Sequence, residues 1–260
     1  MSTYVCSDIH GQKELFDRTL EHIGFGKRDR MYILGDLIDR GPDGIALMKA
    51  VMDMPNVTCL LGNHELMMLD YINRGDDIWL DVRNGGTVTC REFARLSTEE
   101  QNKIIDYIGD MYLQVEIPIG DYKFLLSHSS FIQNKGTVKW KNVDDTTVFR
   151  TVWYSPWRFF EWEALRNYAA DGRTHIIGHV PVQRASELLR QNPGPLIDHE
   201  YHLINIDLGC AMLGAGDTNE KAGICCMNLT KYAEGNEEGF FCEFGDAGKK
   251  TGEQQDGEED

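Results

Sequence analysis

The chain lacks any apolar run long enough to cross a membrane, any Cys-x-x-Cys pair and any internal repeat, and it is poor in positive charge. A bilayer span needs roughly 20 apolar residues, so no membrane partner is expected. Against 42 acidic residues stand 26 lysines and arginines, a formal net charge of −16. A surface of that sign repels nucleic acid and anionic lipid, although a local basic pocket can still hold a phosphate. The opening Met1-Ser2-Thr3-Tyr4-Val5 enters a strand at once, so no signal peptide is expected. Seven cysteines are an odd number without metal or redox spacing, which points to reduced thiols in a cytoplasmic protein. Cys6, Cys59 and Cys210 sit in strand-like runs, and the adjacent Cys225 and Cys226 read as packed strand thiols rather than a redox pair.

What is present is concentrated in the first 65 residues. Ser7-Asp8-Ile9-His10-Gly11, Gly35-Asp36-Leu37-Ile38-Asp39-Arg40-Gly41 and Gly62-Asn63-His64-Glu65 each follow a short apolar run. The runs 3–6, 31–34 and 57–61 read as buried strands. Between them, 12–23 and 43–52 carry apolar residues at helical spacing, the second behind Pro42, a good first-turn residue. Strand–loop–helix repeats mean an α/β fold with ligands on loops at strand C-terminal ends.

Further along, 65–74 continues as a helix, and Ser97-Thr98-Glu99-Glu100 is a capping box opening another. Segments 115–119 and 122–127 read as a hairpin around Gly120-Asp121. Residues 133–172, with Trp140, Trp153, Trp157 and Trp162, read as an insertion over the site. Strands resume at 174–177, 203–207 and 222–229, and 240–244 is a candidate edge strand. One domain over 1–244 is expected, followed by a disordered acidic tail over 245–260.

The motifs deliver Asp8, His10, Asp36 and Asn63 from successive strand ends, and His128 and His179 repeat the placement. Carboxylate, amide and imidazole donors without thiolate suit manganese, iron or zinc. Six donors in order at strand ends are the ligand set of a two-metal phosphoesterase, where paired ions acidify a water and neutralise the phosphoryl oxygens. His22, His175, His199 and His202 fall outside the pattern and read as surface or core residues.

On these motifs the chain resembles the phosphoprotein phosphatase family of calcineurin-like metallophosphoesterases, whose pattern is GDxHG, GDxxDRG, GNHE and two separated histidines. Ser7 stands where the family has glycine, and His128-Ser129-Ser130 stands where eukaryotic members carry HGG. Trp79 with Asn84-Gly85-Gly86-Thr87, and the closing strand over 204–207 followed by Leu208-Gly209-Cys210, resemble the bacterial and phage branch of serine/threonine phosphatases. The resemblance runs from about residue 3 to about residue 229. It implies a central β-sandwich flanked by helices and a centre of two divalent ions, manganese first, with iron or zinc as alternatives. It implies Asp8 and His10 on the first ion, Asp36 as bridge, and Asn63, His128 and His179 on the second. His64 is then the general acid, with Asp39 orienting its ring and raising its pKa, and Arg40 grips the phosphate. A second phosphate-binding arginine is expected at Arg158, with Arg150 as the alternative.

The implied reaction is hydrolysis of phosphoserine and phosphothreonine in proteins, extending to phosphotyrosine, by attack of a metal-bound hydroxide. A phosphoprotein or a small phosphoester would be the partner. A dinucleoside tetraphosphatase or a cyclic-nucleotide phosphodiesterase would use the same centre, and the motifs do not separate them. A binding module on an inactive scaffold would require lost ligands, and none is lost.

Overall fold

A computed structural model describes residues 1–155, 162–214, 221–236 and 239–245. Arg158, Trp157 and almost all of the acidic tail lie outside the described residues. The elements run β1 (Thr3–Cys6), α1 (Lys13–His22), β2 (Arg30–Ile33), α2 (Gly44–Met52), β3 (Val57–Cys59), α3 (Asn63–Arg74), α4 (Thr87–Phe93) and α5 (Thr98–Gly109). There follow β4 (Tyr112–Ile119), β5 (Tyr122–Ser127), β6 (Val138–Lys139), α6 (Asp145–Trp153), α7 (Trp162–Ala170) and β7 (Thr174–Ile177). The chain closes with α8 (Glu187–Gln191), β8 (Leu196–Asp198), β9 (Leu203–Asn205), α9 (Cys210–Gly214), β10 (Gly223–Asn228), α10 (Leu229–Ala233) and β11 (Phe240–Phe244).

Two mixed sheets form the frame. One has the order β11-β10-β1-β2-β3, the other β6-β4-β5-β7-β9-β8. They pack face to face over a core that includes Val5, Leu34 and Leu60 from the first sheet and Val115, Phe124, Ile176 and Ile204 from the second. The outer face of the first sheet is covered by helices that bury Phe16, Met48, Met68 and Ile108. A smaller cluster of Leu165, Tyr168, Ile177 and Leu203 covers the second sheet. This is the expected β-sandwich flanked by helices.

The parallel strands β1, β2 and β3 point their C-terminal ends the same way, and β5, β7 and β9 do likewise in the other sheet. The site motifs leave these ends. The expected strand over 57–61 stops at Cys59 because Leu61 turns its N–H to the Tyr112 carbonyl of the other sheet, at 2.8 Å. The third helix begins earlier than expected, at Asn63, inside its motif. There the Glu65 carboxylate accepts from the Gly62 N–H at 3.1 Å and caps the helix from within. In α2, Asp43 is the N-cap, so Pro42 precedes the first turn instead of opening it. The Ser97–Glu100 capping box forms as expected. The hairpin closes with Ile119 opposite Tyr122, and Gly120 supplies the positive φ of 58° that its two-residue turn requires. Cys210 opens α9 rather than sitting in a strand.

Candidate active site

Left-handed backbone marks the site. Among the described residues, eight non-glycine residues have positive φ, and Asp8, His10, Asp36, Asp39, Arg40 and His179 are six of them. Such conformations cost about 1–3 kcal/mol each and persist only where the surroundings enforce them. Here they break each strand at its end and turn the side chain into one shared space. Close backbone approach enforces this: a Cβ at Gly178 would collide with the Ser7 side chain and the Asp8 carboxylate. Ser7, which replaces the family glycine, donates its hydroxyl to Asp8 Oδ2.

Asp36 is the hub. Its Oδ1 accepts from the His64 N–H at 3.1 Å. Its Oδ2 faces His128 Nε2 at 3.5 Å, His10 Nε2 at 3.6 Å and His64 Nε2 at 3.8 Å. Two groups result that could each hold an ion: His10, Asp36 and His64, and Asp36, His128 and His179. Asn63 Oδ1 lies 2.9 Å from His128 Nε2 and 3.0 Å from His179 Nδ1. Asp8 stands beside the second group, where its Oδ2 accepts the His179 N–H at 2.9 Å. Of the six residues expected as ligands, His10, Asp36, His128 and His179 fall in these groups and Asn63 lies against the second, whereas Asp8 belongs to neither, and His10 is grouped with Asp36 and His64 rather than with Asp8.

The ring protons show what this donor set suits. His10 Nδ1 lies 3.0 Å from the Ile38 carbonyl, His128 Nδ1 2.8 Å from the Leu34 carbonyl, and His179 Nε2 3.1 Å from the Trp153 carbonyl. A carbonyl only accepts, so each of those nitrogens is the N–H, and a neutral ring is bare at its other nitrogen. The bare nitrogens of His128 and His179 face one another at 3.1 Å, with the Asn63 oxygen against both. Three acceptors converging without a proton between them fit a cation. Electrostatics agree. Burial, then Asp8 and Glu65, pushes the Asp36 carboxyl well above its ordinary range, and burial, then Asp8, does the same to Asp207. Burial, then the Arg40 guanidinium, pushes His10 and His64 well down. Nitrogen and oxygen donors with buried carboxylates therefore fit divalent ions.

His64 and Asp39 form a pair, with Nδ1 2.6 Å from Oδ2. The expectation that Asp39 raises the His64 pKa is not met. Burial, then Arg40 and His128, lowers the imidazole, and burial lifts the Asp39 carboxyl to about 7. Arg40 reaches His10, with Nη1 2.8 Å from the bare Nε2. Arg150 is exposed and lies over the Tyr154 ring at 5.8 Å, outside the cleft lining.

Several contributors have no role assigned to them by the sequence. Glu65 accepts from the Asp36 N–H at 2.9 Å and the Leu37 N–H at 2.8 Å, which fixes the turn carrying the hub. Trp79 Nε1 donates to Asp39 Oδ2 at 2.7 Å, and the Asp39 N–H donates to Thr89 Oγ1 at 3.0 Å. Buried Asp207 follows β9 and accepts the Gly209 N–H at 2.7 Å. Ser129 and Ser130 are more than a departure from HGG. Their hydroxyls donate to the Tyr154 and Arg150 carbonyls at 3.0 and 2.8 Å, tying the loop after His128 to the end of α6. Phe149, Trp153 and Tyr154 of that segment line a cleft of about 460 Å³ with Asp36, Arg40, Asn63, His64, Asn84 and His179.

The chain has counterparts among known proteins. The model of the calcineurin-like phosphoesterases matches residues 1–198. The chain belongs to that family. Serine/threonine-protein phosphatase 2 of Escherichia coli K12 is 31% identical to this phosphoesterase over 133 residues, 49% of this chain and 58% of that protein. A symmetrical bis(5'-nucleosyl)-tetraphosphatase of Acidovorax sp. strain JS42 is 44% identical over 71 residues, 26% of this chain and 25% of that protein. The matches thus span a quarter to just over half of those relatives. A Saccharomyces cerevisiae serine/threonine phosphatase similar to human PP5 shares the fold at a TM-score of 0.61 and 13% identity, over 96% of this chain and 81% of that one. The cold-active protein-tyrosine phosphatase of a Shewanella species does so at 0.54 and 17%, over 88% and 76%. No described helix of this phosphoesterase is long and apolar enough to cross a membrane.

Proposed function

We propose that this phosphoesterase removes phosphoryl groups from phosphoserine and phosphothreonine in proteins. The observation that carries the reading is the charge of the cleft: Arg40 is its one cationic lining residue among the described residues. One guanidinium matches one phosphoryl group held as a fork. A dinucleoside tetraphosphate carries several, and a chain of net charge −16 offers little to offset them. The tetraphosphatase reading is kept for one reason. Phe149 and Trp153 stack at the cleft with centroids 6.0 Å apart and rings tilted 28°, and a nucleobase could stack on them.

In this proposal Asp8, His10, Asp36, Asn63, His128 and His179 hold two divalent ions, manganese before iron or zinc. Bound there, the ions would acidify a water and neutralise the phosphoryl oxygens. Arg40 grips the phosphoryl group from beside His10. His64 gives a proton from Nε2 to the leaving oxygen, while its Nδ1 stays on Asp39. Trp79 and Thr89 hold Asp39 in place. All seven cysteines are free, which supports a reducing, cytoplasmic setting.

The test is a panel of substrates at fixed manganese: phosphoserine, phosphothreonine and phosphotyrosine peptides, a symmetrical dinucleoside tetraphosphate and a cyclic nucleotide. The proposal expects the highest kcat/KM on phosphoserine and phosphothreonine peptides. A preference for the tetraphosphate would replace it with the second reading.

A further inference from the structure

The adjacent thiols of Cys225 and Cys226 point to opposite faces of their strand. Cys225 packs in the core between the sheets, and Cys226 packs under the helices. The partner of Cys225 is on the next strand. In the antiparallel β10–β11 register, Cys225 stands directly opposite Cys242, while Cys226 is opposite Phe241. The alternation agrees, since Cys242 lies against the inter-sheet core with Phe240 and Phe244, and Phe241 lies against the helical side. Directly opposed residues have Cα atoms about 4.5–5.5 Å apart and side chains on one face. A disulfide needs about 4.4–6.8 Å, so the bridge requires no shift of backbone.

The two sulfurs already interact. A hydrogen bond to Cys242, then burial, pushes the Cys225 thiol up, and the same bond pulls Cys242 down. Cys242 is thus the better thiolate. It is also half-buried, as is Cys90, whereas the other five cysteines are buried. A pair with one reachable, acidified thiol and one buried resolving thiol has the arrangement of a redox-responsive site.

We propose that Cys225 and Cys242 form a reversible disulfide across β10 and β11, made by exchange with a low-molecular-weight disulfide such as glutathione disulfide. The Cys242 thiolate attacks one glutathione sulfur, forming a mixed disulfide and releasing one glutathione thiolate. The Cys225 thiolate then attacks Cys242 Sγ, forming the protein disulfide and releasing the second glutathione. Two protein thiols lose two electrons and two protons, and one glutathione disulfide becomes two glutathiones. The bridge pins the edge strand β11 to its neighbour. It concerns neither the cleft nor its ligands, so it stands or falls independently of the proposed substrate.

The folded protein is incubated with glutathione disulfide, its remaining thiols are blocked at acid pH, and its peptides are weighed. The expected product links Cys225 to Cys242, lighter than the two thiols by two hydrogens and reversed by dithiothreitol. Cys90 is the internal comparison: it should stop at the glutathione adduct. Cys225→Ala should leave Cys242 stopped at its adduct, Cys242→Ala should abolish the link, and Cys226→Ala should retain it. A lasting glutathione adduct on Cys242 in the unaltered protein overturns the proposal. So does a link to Cys226, or a Cys242 left unmodified.

Discussion

Trp79 Nε1 donates to Asp39 Oδ2 at 2.7 Å, on the same oxygen that meets His64 Nδ1 at 2.6 Å. The indole is fully buried and holds the carboxylate that orients the proposed proton donor. Replacing Trp79 by phenylalanine removes that donor and leaves a buried carboxylate oxygen short of a partner. The expected cost is about 1–3 kcal/mol in denaturant unfolding, with kcat reduced and KM unchanged. His64→Asn should go further, losing roughly 10²–10⁴-fold in turnover on an alkyl phosphate. That loss should shrink on an activated aryl phosphate, whose leaving oxygen needs less protonation. Equal losses on both substrates would argue for a positional role of His64 instead.

Substrate grip is assigned to Arg40, which reaches His10 Nε2 at 2.8 Å. Lysine keeps the charge but not the fork. Arg40→Lys should lower kcat/KM about 10–100-fold, the equivalent of one charge-assisted hydrogen bond, and weaken inhibition by inorganic phosphate without loss of metal. Arg150→Ala should have little effect, because its guanidinium lies over Tyr154 at the surface. A large loss in Arg150→Ala would move the grip to that residue.

Stability should fall with acid through His175. This ring is buried between Phe131 and Tyr168, with centroids at 4.7 and 4.9 Å, and its Nε2 is 3.4 Å from Asp171 Oδ2. Burial depresses its pKa from 6.5 to about 4, against the pull of Asp171 and with a smaller push from Arg173. The unfolded chain therefore takes up the proton first. The resulting loss begins as pH falls below about 6.5, levels off near 4, and amounts to on the order of 3 kcal/mol. His175→Phe should flatten that part of the pH profile of unfolding free energy. An unchanged slope in the variant would assign the acid sensitivity elsewhere.

The ligands were legible because each lies where an apolar run meets glycine, and strand ends of an α/β sheet face one edge. The helix of the third motif starts earlier than its sequence suggests because Asn63 and His64 have weak helical propensity and their cap is Glu65, inside the helix. The roles of the supporting residues are illegible in the sequence for a different reason. Trp79, Thr89 and Asp207 act through contacts 40 or more residues away or through buried backbone, and neither leaves a periodic pattern. Only resemblance flagged the stretch around Trp79 and Asn84. The two serines after His128 were visible as a departure from HGG, but their bonds to the end of α6 required the fold. The short strands Val138–Lys139 and Leu196–Asp198 offer too few residues for an alternating pattern.

The central claim is that Asp36 serves two cations at once, since its Oδ2 faces nitrogens from both candidate groups at 3.5 to 3.8 Å. The direct measurement is metal content by mass spectrometry after manganese loading and desalting, for the unaltered protein and for Asp36→Asn. The account predicts two ions per chain in the first and fewer than one in the second, with the far-ultraviolet circular dichroism of a folded chain in both. Two ions retained by folded Asp36→Asn would contradict it.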